Sequence, residues 1–505
     1  MQDLIKKILN ARVYDVAITS PLEDMPRLSA RLGSRVYLKR EDLQPVFSFK
    51  LRGAYNKISR LTDAEKRAGV ICASAGNHAQ GVALSARRMG LRAMIVMPQR
   101  TSPIKVQAVK SLGGEALLHG EAFDDAYARA RELAKEQGLT FIHPFDDEDV
   151  IAGQGTIARE LLEQNPDLNA IFVPVGGGGL AAGIAAYVKF LRPDVKVIGV
   201  EPVDAASMHD SLAAGKRQVL PQVGVFAEGV AVREPGVLTF ELCRSLLDEI
   251  VLVSTDETCA AIKDIFDNNR AIAEPAGALA VAGAKKYLVR EQLVGLSVAA
   301  VNSGANVNFS RLRHVAERAE IGETSEALFA VTIPEKPGAY KRLINTLGDR
   351  YVTEFNYRYS DSSRAHIFIG LQTPGGFTEQ ENIQKLLRDN GYMVSNLSDN
   401  EIAKLHIRYM VGGHAPGLRD ECLFHFEFPE RQGALLKFLD SLSTAWNISL
   451  FHYRNHGSDY GRVLCGLQVP PEDRHIFISA LDKLGYAYRE ETRNPAYRFF
   501  LSGDV

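Results

Sequence analysis

The chain has 505 residues, 46% of them hydrophobic and 24% charged, with a formal net charge of −2. That length exceeds one typical core and predicts two or three domains. The composition is that of an ordinary soluble globular protein, and the balanced charge excludes a global nucleic-acid or anionic-membrane surface.

Met1 to Val16 mixes lysines and aspartates without a continuous apolar stretch, so neither a signal peptide nor a membrane span is expected there. No later stretch reads as a span either. From Arg35 to about Ala319, short apolar runs alternate with helical patterns. Strands are predicted at Val36–Leu38, Val70–Ala73, Ala93–Met97, Ala116–Leu118, Ala170–Val175, Val195–Val200 and Ser297–Val301. Helices are predicted over Asn77–Met89 and Ile104–Leu112, around Ala126–Ala134, and from the glycines after Val175 through Phe190. Strands apolar on both faces that alternate with helices imply an α/β fold with mostly parallel sheets.

After Arg318 the texture changes. Glu320 to Glu326 is polar and carries Gly322, which predicts a linker. An internal repeat follows. The run Phe329 to Ala339 matches Phe424 to Ala434, Phe355-Asn356-Tyr357-Arg358 matches Phe451-His452-Tyr453-Arg454, and Gly391-Tyr392 matches Gly485-Tyr486. The copies lie about 95 residues apart throughout. Each reads strand, glycine-containing turn, helix (Ala339–Leu347; Ala434–Leu442), strand, strand, helix. That is the βαββαβ pattern of a small ferredoxin-like domain.

Four short motifs carry chemistry. Lys50 lies in Ser48-Phe49-Lys50-Leu51-Arg52-Gly53-Ala54. Most lysines are solvated surface charges. Phe47 and Phe49 predict apolar packing here, and a desolvated ammonium loses its proton more easily. A neutral amine can form a Schiff base and abstract a proton. The loop Ser74-Ala75-Gly76-Asn77-His78 precedes a helix. It is either a plain polar cap or an anion site, whose free N–H groups suit an α-carboxylate. Asn77 can also donate to a phenolic oxygen.

Gly176-Gly177-Gly178-Gly179-Leu180 sits between a strand and a helix. Four glycines in a row are entropically costly, and a backbone nest around a phosphate accounts for them. A dinucleotide loop is the competitor, but its spacing and acidic partner are not met cleanly. Asn302-Ser303-Gly304-Ala305-Asn306 follows the last strand, and a hydroxyl there can face a ring nitrogen. Together these describe a pocket for pyridoxal phosphate acting on an amino acid. The five cysteines show no C-x-x-C pair and no metal-finger spacing, which fits buried thiols in a reducing cytoplasm.

In this order, the motifs resemble those of the fold-type-II (tryptophan synthase β-like) pyridoxal phosphate enzymes. Within that group the chain is most similar to threonine dehydratases, and its C-terminal repeat resembles the ACT-like regulatory modules of the biosynthetic form. The resemblance covers essentially the whole chain. It implies a catalytic domain over residues 1–320 and regulatory modules over 327–412 and 421–505. It implies that Lys50 is the Schiff-base lysine, that Asn77 contacts the ring hydroxyl, that Gly176–Leu180 hold the phosphate and that Ser303 faces the pyridine nitrogen. The reaction implied is dehydration and deamination of L-threonine to 2-oxobutanoate, with L-serine poorer. Isoleucine as inhibitor and valine as opposing effector are implied at Tyr357 and Tyr453, in a cytoplasmic homotetramer.

Departures sharpen this. Leu51 stands where related synthases carry an acid, and Ala75 stands where serine racemases carry the second serine, so elimination is expected over racemisation. Glu201, Ala205 and Ser207 resemble the cation site of some relatives. The serine at the third position argues against a divalent metal and leaves open a monovalent ion or a local capping role for Glu201. Two rivals are another lyase or synthase of the same superfamily, such as a serine-preferring dehydratase, and a non-catalytic amino-acid sensor. The presence of Lys50, Asn77 and Ser303 argues against the sensor.

Overall fold

The structure is a computed structural model that describes every residue except 310, 324, 411, 416, 430–433, 443–445, 455–459 and 502–505. The chain divides into two compact units, Met1–Gly322 and Glu323–Val505.

The first unit carries ten strands among its described residues. They are β1 (Leu22–Asp24), β2 (Arg35–Arg40), β3 (Val70–Ala73), β4 (Ala93–Met97), β5 (Glu115–Leu118), β6 (Thr140–Phe141), β7 (Ala170–Pro174), β8 (Lys196–Pro202), β9 (Glu249–Val253) and β10 (Ser297–Asn302). They form a larger sheet in the order β1-β2-β10-β7-β8-β9 and a smaller one in the order β5-β4-β3-β6. All pairings are parallel except β1 with β2.

Residues along the central strands alternate between two cores. Phe172, Ile198 and Ala300 pack with the helix Pro275–Arg290. Ile171, Val173 and Val301 pack with the helices Glu148–Gln164 and Gly179–Leu191. A sheet covered on both faces needs apolar residues at every position, hence the unbroken runs in β3, β4 and β7. Loops at the carboxyl ends of β3, β7 and β10 then share one side of the unit, where ligands bind in open parallel sheets.

In the second unit the strands are β11 (Glu326–Pro334), β12 (Val352–Arg358), β13 (Arg364–Gln372), β14 (Met393–Asn396), β15 (Glu421–Pro429), β16 (Asn447–Arg454), β17 (Tyr460–Gln468) and β18 (Ala487–Glu490). Each repeat is a βαββαβ module, with helices Ala339–Leu347 and Gly376–Asp389 in the first and Ala434–Ser441 and Arg474–Leu484 in the second. The modules join edge to edge through antiparallel β12 and β16, giving one sheet ordered β14-β11-β13-β12-β16-β17-β15-β18. Two central strands thereby close each other's edges. The register sets Tyr357 opposite Phe451 and Phe355 opposite Tyr453. The turn with Glu430 and Gly433 lies outside the described residues.

The expected polar linker is shorter than Glu320–Glu326. A helix runs Arg311–Gly322, and Glu326 begins β11 as a buried carboxylate that accepts from Thr353 Oγ1 (2.5 Å) and pairs with Arg408. Among the described residues, no helix is long and apolar enough to cross a membrane.

Candidate active site

Lys50 opens the helix Lys50–Ser59, held by two close approaches. Phe49 N donates to Ser303 O (3.2 Å), tying the segment to the end of β10. A Cβ on Gly81 would lie 3.1 Å from the Lys50 carbonyl carbon, so the helix Asn77–Met89 packs directly on this backbone. Lys50 Nζ donates to Pro144 O (2.9 Å) and lies 5.3 Å from the centre of the Phe49 ring. Burial pushes the amine down to about 8, with the Glu274 carboxylate opposing. The predicted packing of Phe47 is corrected: the residue is 58% exposed, at a left-handed backbone position with φ +55°.

Ser74, Ala75 and Gly76 lead from β3 into the helix Asn77–Met89, whose N-terminus has no side-chain cap. Ser74 Oγ accepts from Gly76 N (3.2 Å), and a Cβ on Gly76 would meet nothing within 4 Å. His78 is buried and bonds Ile142 O through Nε2 (2.9 Å), and burial pushes its imidazole down to about 3. Its side chain is thus a neutral strut, and Ser74 N donates back to Val96 O on β4 (3.1 Å).

Gly176–Gly179 follow β7, and the helix Gly179–Leu191 with Leu180 in its first turn also starts without a side-chain cap. A Cβ on Gly177 would lie 2.3 Å from the Phe145 ring, and Gly178 has φ +93°. Thr239 Oγ1 donates to Gly177 O (2.6 Å), and Asp146 accepts from Val237, Leu238 and Thr239 N (2.9–3.1 Å). The segment His143–Asp146 therefore joins Lys50, through Pro144, to the glycine loop.

Ser303 follows β10, and its hydroxyl donates to Ala276 O (3.3 Å). Asn77 Nδ2 donates to Glu274 Oε1 (2.6 Å), while Asn77 Oδ1 accepts from Asn306 Nδ2 (2.6 Å). Burial raises the Glu274 carboxyl to about 7, with the Asn77 hydrogen bond opposing. Glu274 also borders a shallow cleft lined by Lys105, Glu228, Asn306 and Arg311. Sequence reading missed Glu274 and Pro144 as site residues. A Glu-Pro pair reads as a helix start, and only the fold carries it to Asn77.

Glu201 accepts from Met208 N (3.0 Å) and His209 N (2.7 Å), so it caps the helix Ser207–Ala214. In the second unit Tyr357 and Tyr453 are buried in one core shared by both modules. Tyr357 donates to the Glu335 carboxylate, which also accepts from Asn447 Nδ2 (2.8 Å).

The donor set fits pyridoxal phosphate. A half-buried lysine lies between two uncapped helix starts, one of them carrying a glycine cradle that a Cβ would fill. Fold and site define a pyridoxal-phosphate-dependent enzyme of fold type II. Residues 14–304 match the model of the pyridoxal-phosphate dependent enzymes. Residues 317–407 and 412–501 each match the C-terminal regulatory domain of threonine dehydratase.

The chain belongs to the biosynthetic threonine dehydratases. It is 57% identical to the biosynthetic L-threonine dehydratase of Burkholderia multivorans, over 99% of each chain, and 54% identical to that of Escherichia coli, over 99% of this chain and 97% of the other. Among solved structures, the processed threonine deaminase isoform 2 of Solanum lycopersicum is 52% identical with TM-score 0.62, covering 63% of this chain and 93% of that one. Maize serine racemase is 31% identical with TM-score 0.59, covering 62% and 96%.

Proposed function

We propose that this chain converts L-threonine to 2-oxobutanoate and ammonia, the first step toward isoleucine, and L-serine less well. The observation that carries this is Lys50, a half-buried lysine between two helix starts without side-chain caps, its amine pushed toward the neutral form. Pyridoxal phosphate, when bound, supplies an aldehyde that captures amines and a ring that withdraws electrons from Cα. Lys50 Nζ holds the cofactor at rest and takes the Cα proton once threonine has displaced it. The loop Ser74–His78 holds the substrate carboxylate, and the N–H groups from Gly176 to Leu180 hold the phosphate. Asn77 donates to the ring hydroxyl. Ser303 meets the ring nitrogen with a hydroxyl, which leaves it less protonated than a carboxylate would and favours loss of the β-hydroxyl over transamination. Ala75 offers no proton on the opposite face. The test is kcat/KM for both amino acids. A methyl group accounts for roughly 10–200-fold, so threonine should lead within that range. A serine value equal to or above that for threonine overturns the preference.

The reading extends to control: isoleucine inhibits at the second unit and valine relieves it. The paired βαββαβ modules, with Tyr357 and Tyr453 crossing at their seam, support it. Both rings are core residues, so phenylalanine is the informative replacement. Tyr357→Phe removes the hydroxyl on Glu335 while keeping the packing. It should raise the isoleucine concentration for half-inhibition roughly 2–10-fold, the worth of one hydrogen bond, and leave uninhibited kcat near wild type. An unchanged isoleucine response would remove Tyr357 from the effector contacts.

We also place a catalytic domain at residues 1–320 and regulatory modules at 327–412 and 421–505. A chain ending after Gly322 should bind cofactor and turn over threonine without responding to isoleucine. A folded truncation that cannot bind pyridoxal phosphate would contradict that division. Assembly as a cytoplasmic homotetramer completes the reading. Five buried, unpaired cysteines support a reducing compartment, and sedimentation tests the assembly.

A further inference from the structure

Glu274 is a buried acid at the cofactor end of the pocket, and none of the steps above uses it. Its carboxylate accepts the Asn77 amide (2.6 Å). Asn306 Nδ2 donates both to Asn77 Oδ1 (2.6 Å) and to Val46 O (2.9 Å). The Val46 carbonyl can only accept, so the NH2 of Asn306 faces it and also donates to the carbonyl of Asn77, which turns the NH2 of Asn77 toward Glu274. What remains is the second N–H of Asn77. The backbone allows no slack: Glu274 N donates to Gly304 O (3.1 Å), and a Cβ on Gly304 would lie 2.7 Å from Glu274 Oε1.

We propose that Glu274 is a positioning residue, which locks Asn77 as a hydrogen-bond donor toward the cofactor's ring hydroxyl. The inference rests on the reading of Lys50 and Asn77 as cofactor contacts.

The test is the position of the visible absorbance band of the full-length holoenzyme, which responds to the hydrogen bond on the ring hydroxyl. Glu274→Ala frees Asn77, and should shift the band in the same direction as Asn77→Ala. Glu274→Gln keeps an acceptor for Asn77, and should hold the band at the wild-type position. A Glu274→Gln band displaced as far as that of Glu274→Ala overturns the hydrogen bond as the cause. A band that moves in Asn77→Ala but not in Glu274→Ala overturns the orienting role alone. A band unmoved in Asn77→Ala overturns the reading of Asn77 and the orienting role with it.

Discussion

Lys50→Ala should lose at least ~10³-fold of 2-oxobutanoate release and the visible band of the bound cofactor together, because one nitrogen serves as both anchor and base. The side chain makes one hydrogen bond, to Pro144 O, and its helix is held by backbone packing against Gly81 and by the bond from Phe49 N to Ser303 O. The variant should therefore fold, and its unfolding transition should match wild type within about 1 kcal/mol. Turnover kept by a folded Lys50→Ala protein would remove Lys50 from the reaction.

The largest loss of stability is expected two residues further on. Arg52 is fully buried and bridges Glu41 (2.7 and 2.8 Å) and Glu160 (2.6 Å), and Lys39 completes the group on Glu160 (2.6 Å). Arg52→Leu leaves two buried carboxylates with one lysine, and breaking such a network costs about 3–5 kcal/mol. The loss should depend on pH. Burial favours the neutral form of Glu41, but Arg52 outweighs burial and holds the carboxyl below its ordinary value of 4.5. In wild type the resulting stability is present above that value and is lost as pH falls through the lowered one. Without Arg52 burial prevails and the carboxyl rises, so the deficit is full at pH 7 and shrinks as pH drops toward 5. Urea unfolding at both values measures this. A deficit under 1 kcal/mol at pH 7, or one that grows in acid, would contradict the account.

The sequence reading placed β3, β4 and the Asn77–Met89 helix at their observed boundaries. Strands covered on both faces leave unbroken apolar runs, and the flanking glycines and the asparagine mark where they stop. The repeat was legible because its spacing is constant, and both copies fold as βαββαβ modules. What sequence could not show is what only the fold brings together. Phe47 reads as packing for Lys50, but it stands exposed at a left-handed backbone position. Glu326 reads as linker because it is charged, but Thr353 and Arg408, distant in sequence, make it a buried strand residue. Glu274 reads as a helix start and lies 197 residues from the asparagine it holds. Long-range pairings of polar groups leave no periodic trace.

The central claim is that a lysine at the start of the helix Lys50–Ser59 carries the cofactor of a threonine dehydratase. Borohydride reduction of the purified holoenzyme fixes amine-bound pyridoxal phosphate on its lysine, and peptide mass spectrometry then locates it. The account predicts a phosphopyridoxyl group on Lys50 alone, with release of 2-oxobutanoate from L-threonine abolished in step with labelling. A label on another lysine, or full activity after Lys50 is reduced, would contradict it.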